Sequence, residues 1–267
     1  MHVWLTIPSA RPPEEAEKVL KLWRQQGYKI ALFRDDYPER AEFWHGIADQ
    51  LFGHGSHYPG YAAAVNAIIR NVAEIDPSAE WFVIGGDDVQ PDLNHSAEEI
   101  AEQCKQHFFE VGLLDGGWKD APSPNEWSRG RQTFGVMQPT GDRWQEGMGG
   151  FKNALIDRVC GSAWIGRDFA TRMYQGNGPL WPGYHHMFVD EELQEVAIKR
   201  GVLWQRRDLI QIHNHVLRHP EPGKLKLSSE LAKAPHLAKW NTPEHWNESK
   251  KLFQDRKATG FPGSDPL

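Results

Sequence analysis

Three short apolar runs, each ending in residues suited to a ligand crevice, constrain this chain most. HVWLTIP (2–8) is β-branched and aromatic and stops at Pro8. YKIALFR (28–34) runs straight into Asp35 and Asp36, and WFVIGG (81–86) runs into Asp87 and Asp88. Helical patterns separate these runs. Pro12 and Pro13 open the first, with Glu14 and Glu15 in its first turn, where the helix dipole favours carboxylates. Ala16, Val19, Leu20 and Trp23 then fall at helical spacing, and Gly27 ends it. YAAAVNAIIRNVAEI (61–75) is the second, broken at Asp76-Pro77. Alternating strand and helix predicts an α/β fold, a mixed, mainly parallel sheet with helices on both faces. Ligands of such sheets bind beyond the carboxyl ends of the strands, where Pro8-Ser9, Asp35-Asp36 and Asp87-Asp88 all fall.

The middle is less regular. Ser96 and Glu99 make a capping-box pattern, and Ile100, Cys104, Phe108 and Val111 keep one apolar face of a helix. From Gly116 to Gly150 the chain is rich in Gly, Pro, Trp and Asp, too long a stretch for an idle connection. Order returns in RVCGSAWIGRDFATRMYQ (158–175). A helix signal covers 190–199 with Gly201 past its end, and DLIQIHNHV (208–216) is a further apolar run. The chain beyond His219 reads as an appendage on the main domain, and its end, GFPGSDPL, as mobile. The expected division is 1–215, with halves 1–92 and 93–215, followed by 216–267.

Charge separates the same two parts. Residues 216–267 carry 9 Lys/Arg against 6 Asp/Glu, while the whole chain is at -6. An acidic body excludes a generally basic nucleic-acid coat but leaves room for an anionic partner near the tail. No apolar run approaches the ~18–20 residues of a membrane helix, so no membrane partner is expected. The start lacks the layout of a secretory signal, and Cys104 and Cys160 form no paired-cysteine motif. A reducing, cytoplasmic location is the expectation.

Several residues can carry chemistry. Gly85 and Gly86 let a ligand approach the backbone before Asp87 and Asp88. Adjacent carboxylates in a cleft repel unless a cation neutralises them, and a hard divalent ion on a diphosphate does so; a simple turn is the plain alternative. His213 and His215 alternate and so share a strand face, from which one could add a nitrogen ligand. Asp190, Glu191 and Glu192 crowd a helix start, where the dipole alone would explain them. A carboxylate there can also act as a general base, with His185 and His186 as rivals.

In order, the chain shows a strand ending in IPS, one ending in RDD, a helix with AVNAII, a strand ending in GGDD, then GSAWIGRDF, FVDEEL and IHNH. That order resembles the GT-A glycosyltransferases of the family 2 type, in particular the compact versions in tailed-phage genomes, across residues 2–216. The resemblance implies a Rossmann-like nucleotide-diphospho-sugar transferase fold. It implies transfer of a sugar, with inversion, from a UDP-sugar to an acceptor hydroxyl, with Mn²⁺ or Mg²⁺ as cofactor. Pro8, Ser9 and Arg11 would lie around the nucleotide, Asp35 would read the base, and Asn66 would sit near the ribose and phosphates. Asp87 and Asp88 match the Asp-any-Asp pair, with Asp87 on the donor and Asp88 on the metal. His213 or His215 matches the late metal ligand, and Asp190, with Glu191 beside it, the catalytic carboxylate. One departure stands out: a full Asp-any-Asp motif would need a carboxylate where Val89 stands.

The acceptor side is expected to include Trp144, Trp181, Tyr184 and His185, with Trp118, Trp127 and Trp164 as further candidates, since indoles stack on sugars and bases alike. The acceptor reading favours a hydroxymethylated pyrimidine in phage DNA slightly over a saccharide or protein, with Lys224, Lys226, Lys250, Lys251, Arg256 and Lys257 meeting phosphates. The rivals are a nucleotidyltransferase and a non-catalytic sugar-binding or virion protein. The first would want a Gly- and Lys/Arg-rich loop where PSARPPEE stands.

Overall fold

The computed structural model describes residues 1–34, 41–44, 46–53, 58–113, 131–142, 159–215, 218 and 242–267. Seven strands form one sheet. They are β1 (His2–Pro8), β2 (Lys29–Phe33), β3 (Gln50–Phe52), β4 (Ala79–Val83), β6 (Val136–Pro139), β7 (Trp164–Gly166) and β8 (Leu203–Arg206), in the order β3-β2-β1-β4-β7-β6-β8. β7 runs antiparallel to both of its neighbours, and the other pairings are parallel. Two short strands, β5 (Val89–Gln90) and β9 (Ile212–His213), pair outside the sheet, with Val89 opposite His213. The expected mixed, mainly parallel α/β sheet is therefore present.

The helices follow from the same apolar periodicity. α1 (Pro13–Gln25) starts at its proline and buries Ala16, Leu20 and Trp23. α2 (Tyr61–Ile75) buries Ala62, Val65, Ile68, Ile69 and Val72. β1 is buried along all but its end residues, which is why it reads as an unbroken apolar run rather than an alternating one. β1 to β2 to β3 steps one way across the sheet, and α2 carries the chain back over β1 to β4. Right-handed crossovers in opposite directions place α1 and α2 on opposite faces. The reversal falls between β1 and β4, so a crevice opens beyond Pro8 and Val83.

α3 (Ala97–Leu113) begins with the predicted capping box: Ser96 N–H donates to Glu99 Oε2 (2.7 Å), and Glu99 N–H to Ser96 Oγ (3.2 Å). α4 spans Arg167–Gly176 and α5 Val189–Lys199, one residue longer than its sequence signal. Among the described residues no helix is long and apolar enough to cross a membrane. Cys104 and Cys160 are both buried, and neither is in a disulfide.

The tail differs from expectation. α6 (Pro243–Ala258) is capped by the Thr242 hydroxyl, which accepts from His245 N–H at 3.3 Å. Arg256 of α6 is buried and donates to both carboxylate oxygens of Glu192 (2.7 and 2.6 Å). The last residues, read from sequence as mobile, are tied down. Gln175 N–H donates to Asp265 O (3.1 Å), Leu267 N–H donates to Arg172 O (2.9 Å), and Phe261 and Ser264 are buried. Glycine and proline set turns here, Gly260 and Gly263 both having positive φ, and the turns return the chain onto α4.

Candidate functional site

A cavity of about 600 Å³ opens where the sheet order reverses. Its walls come from the end of β1, the β4–β5 turn, the 159–162 segment, the start of α5, β9 and α6. Pro8, Ser9, Arg11, Asp87, Asp88, Asp190, Glu191, His213 and His215 all line it.

The loop after β1 is built around Asp87. Ser9 Oγ donates to Asp87 Oδ2 and Arg11 Nε to Asp87 Oδ1, both at 2.7 Å. Beneath the loop lies Arg34, 2% exposed, whose Nη1 donates to Ser9 O (2.8 Å) and Arg11 O (2.7 Å) and whose guanidinium lies 4.5 Å over the Trp44 ring. Sequence reading missed this residue, although a cation directly after an apolar strand was the available signal. Its loss would leave one buried and one half-buried carbonyl without those donors. Arg34→Ala should lower unfolding stability by about 1–3 kcal/mol in urea titration. An unchanged midpoint would show that the loop holds itself.

The β4–β5 turn needs its glycines. Gly85 has φ 149, and Tyr61 Oη donates to its carbonyl at 3.1 Å. A side chain at Gly86 would come within 2.6 Å of Asp88 Oδ1. Trp23 Nε1 donates to Val89 O (2.7 Å), anchoring the turn to α1. Asp88 Oδ2 thus sits 3.4 Å from His213 Nε2 and 3.7 Å from Arg11 Nη2. Burial disfavours its charge, but His213, Arg11 and His215 outweigh that and bring its pKa below the usual value. The His213 and His215 ring centroids are 5.0 Å apart. Burial, and then the neighbouring His213, push His215 down, toward the neutral form that can bind a cation. Asp142 Oδ2 accepts from His213 N–H (2.8 Å) and Arg218 Nη1 (2.6 Å).

Whether these residues suit a divalent ion can be tested on their donor set. Among the described residues no group of three or more His, Cys, Asp and Glu is placed to hold a metal. Asp88 and His213 form a pair, however, and two ligands each about 2.0–2.2 Å from one ion lie about 3–3.5 Å apart. One or two protein ligands completed by substrate phosphates is a usual magnesium arrangement. Arg11 is the only Lys or Arg among the described cavity residues, against the carboxylates of Asp87, Asp88, Asp142 and Asp190, so an anionic ligand would need a further cation. On both counts the residues fit.

Also on the cavity, α5 starts from Phe188, held at φ 66, an uncommon backbone state for a bulky residue and one that clusters at functional sites. Asp190 lies in the first helical turn on the cavity, and a side chain at Gly161 would lie 3.8 Å from its Oδ2. Glu191 Oε2 is buried without a hydrogen-bond partner among the described residues. Burial, and then the charge of Asp190, push the Glu191 carboxyl well above its usual range. A carboxyl with a raised folded pKa keeps its proton when the unfolded chain has lost it. Stability therefore falls as pH rises from about 4.5. Glu191→Gln should be more stable than the parent at pH 7 and flatten that fall in thermal unfolding; equal slopes would contradict the buried, protonated state.

Some expected site residues lie elsewhere. Asn66 is buried, its side chain donating to Leu180 O (2.7 Å) and accepting from Leu180 N–H (3.2 Å), so it braces the 178–180 turn rather than lining the cavity. The Tyr184 hydroxyl is spent on buried Glu192 (2.8 Å), and the Trp181 ring lies 3.8 Å under the Arg256 guanidinium. Neither lines the main cavity. His185 borders a smaller neighbouring cavity, its carbonyl accepting from Tyr61 N–H at 2.6 Å. Trp164 is fully buried. Asp35, Trp118, Trp127 and Trp144 lie outside the described residues. Besides Arg34, the sequence reading missed Asp142 and Trp246, both on the cavity wall.

No family model and no curated protein matches the chain. Among solved structures it is similar to the 1–349 piece of S. aureus TarS (TM-score 0.46, 8% identity), over 79% of this chain and 59% of that one. It thus spans less than two thirds of that chain. It is also similar to 4-diphosphocytidyl-2C-methyl-D-erythritol synthase (TM-score 0.39, 13% identity), over 89% of this chain and 98% of that one.

Proposed function

We propose that the chain is a GT-A-type glycosyltransferase that moves a sugar from a nucleoside diphosphate sugar, a UDP-sugar, to an acceptor hydroxyl with inversion. One observation carries this reading. Asp88, His213 and Asp190, from three separate elements, line one cavity at the reversal of the sheet, where ligands of open α/β sheets bind. A binding protein would need no carboxylate in one cavity with a cation-competent pair. A nucleotidyltransferase would be served by a basic, glycine-rich first loop, and this loop is locked onto Asp87 by Ser9 and Arg11.

The nucleoside end of the donor lies along Pro8, Ser9 and Arg11, and the diphosphate beside Asp88 and His213. Asp88 and a histidine would hold Mn²⁺ or Mg²⁺, which would supply positive charge to the departing diphosphate. Arg11, fixed by Asp87, offers further donors on the same side. The acceptor oxygen forms a bond to the anomeric carbon as the carbon–oxygen bond to the diphosphate breaks. Its proton passes to Asp190, opposite the leaving group. Glu191, holding its own proton, adds no second charge beside that base.

The acceptor is a saccharide hydroxyl in preference to a hydroxymethylated pyrimidine in phage DNA. Arg256 is buried against Glu192, Lys251 pairs with Asp255 (2.6 Å) and Lys257 with Glu195. Those tail cations are neutralised locally, which weakens the case for a phosphate track.

The direct test is a thermal-shift screen of nucleotides with Mn²⁺, followed by donor hydrolysis. Stabilisation by UDP and slow, metal-dependent release of UDP from one UDP-sugar are expected. Inertness toward every nucleotide sugar would overturn the proposal. Asp88→Asn should weaken Mn²⁺-dependent UDP binding by at least about 10-fold in calorimetry, the loss typical of disturbing even an outer-shell metal partner. Unchanged affinity would move the diphosphate elsewhere.

A further inference from the structure

His213 stands on a strand too short to hold its own register. β5 (Val89–Gln90) and β9 (Ile212–His213) pair only with each other, apart from the main sheet. Even a full two-stranded hairpin is marginal in water, so this ladder needs ties from outside. Val89 lies opposite His213, and Asn214 N–H donates to Asp88 O (2.8 Å) one step along. In an antiparallel ladder that bond makes Val89 and His213 a non-hydrogen-bonded pair, so the His213 N–H and C=O point away from β5. No strand among the described residues lies along that outer edge.

Two side chains meet it instead. Asp142 Oδ2 accepts from His213 N–H (2.8 Å). Arg218 Nη1 donates to His213 O (2.9 Å) and to the same Asp142 Oδ2 (2.6 Å). Both backbone groups of His213 are thus satisfied, and the carboxylate that serves one of them is neutralised in place. The brace is anchored at both ends. Asp142 is 7% exposed and follows β6 directly after Gly141, whose N–H donates to Leu209 O (2.9 Å). Arg218 is turned back toward β9 by its own N–H, which donates to His215 O (2.8 Å).

We infer that Asp142 is a positioning residue: with Arg218 it takes the place of a third strand on β9 and so sets the His213 ring 3.4 Å from Asp88 Oδ2. The inference rests on the transferase reading and adds a residue to its cation site. Asp142 acts through the His213 backbone and not as a ligand. Its Oδ2 already accepts twice, and among the described residues no group of three or more His, Cys, Asp and Glu is placed to hold a metal.

Crystal structures of Asp142→Ala, Asp142→Asn and Arg218→Met beside the unaltered chain test this, with Mn²⁺ calorimetry and pulsed EPR in the presence of UDP. In Asp142→Ala the Asp88–His213 separation should widen and the imidazole nitrogen coupling to Mn²⁺ should be lost. Mn²⁺ should bind about 10–100-fold more weakly, the range for disturbing the partners that orient a metal ligand. Asp142→Asn keeps an oxygen for the His213 N–H and should retain the parental separation and nearly parental affinity. Arg218→Met removes the brace from its more exposed member, should widen the separation too, and gives the reading if Asp142→Ala does not fold. A parental separation in Asp142→Ala, or in Arg218→Met where the former does not fold, would overturn the inference. So would an Asp142→Asn variant as weak for Mn²⁺ as Asp142→Ala, which would make the carboxylate itself a ligand. Failure of the unaltered chain to bind Mn²⁺ with UDP would count against the transferase reading instead, and the separations in the variants would still decide the role of Asp142.

Discussion

Asp190→Asn should bind UDP and Mn²⁺ with nearly parental affinity and lose turnover by about 10²–10⁴, the range for removing a positioned general base. The separation follows from place. Asp190 sits in the first turn of α5, on a different element of the cavity lining from the Asp88–His213 pair and the loop clamped by Asp87. Asparagine keeps its size and its helix-start role while removing the proton acceptor. Calorimetry with UDP alongside a turnover assay reads both halves. Near-parental turnover would place the base elsewhere, with His186 the next candidate on that wall; burial lowers its pKa and Asp190 works against that.

Arg256→Met should cost about 3–5 kcal/mol of stability, the range for stranding one partner of a buried ion pair. Glu192 is 1% exposed and accepts from Arg256 twice and from the Tyr174 and Tyr184 hydroxyls at 2.8 Å each. Without the guanidinium its charge would remain buried with only neutral donors. The double variant Arg256→Met with Glu192→Gln should recover much of the loss, because the uncompensated charge is then gone. Urea unfolding of the two variants gives the comparison. A single variant as stable as the parent would mean that α6 does not hold α5. Because Phe188 and Glu192 flank Asp190 and both contact α6, the single variant should also lower turnover in what remains folded.

The sequence made the sheet legible because β1, β2 and β4 are buried on both faces and read as unbroken apolar runs. The cavity lining was legible for the same reason: Ser9, Arg11, Asp87 and Asp88, which line the candidate site, stand just beyond such runs. Asn66 was misplaced because an amide on a buried helix face looks alike whether it meets a ribose or, as here, the backbone of Leu180. Trp181 and Tyr184 were misplaced because a sugar platform and a lid over a buried ion pair share one composition; only the position of Arg256, 64 residues beyond Glu192, separates them. The ordered tail escaped notice because its bonds to Arg172 and Gln175 are long-range and leave no local pattern.

Co-crystallisation with UDP and Mn²⁺ is the most direct measurement. The account predicts the uracil and ribose along the Ser9–Arg11 loop, the diphosphate beside Asp88 and His213, and the anomalous manganese peak within bonding distance of Asp88. A nucleotide bound outside this cavity, or manganese on residues other than Asp88 and its neighbouring histidines, would contradict it.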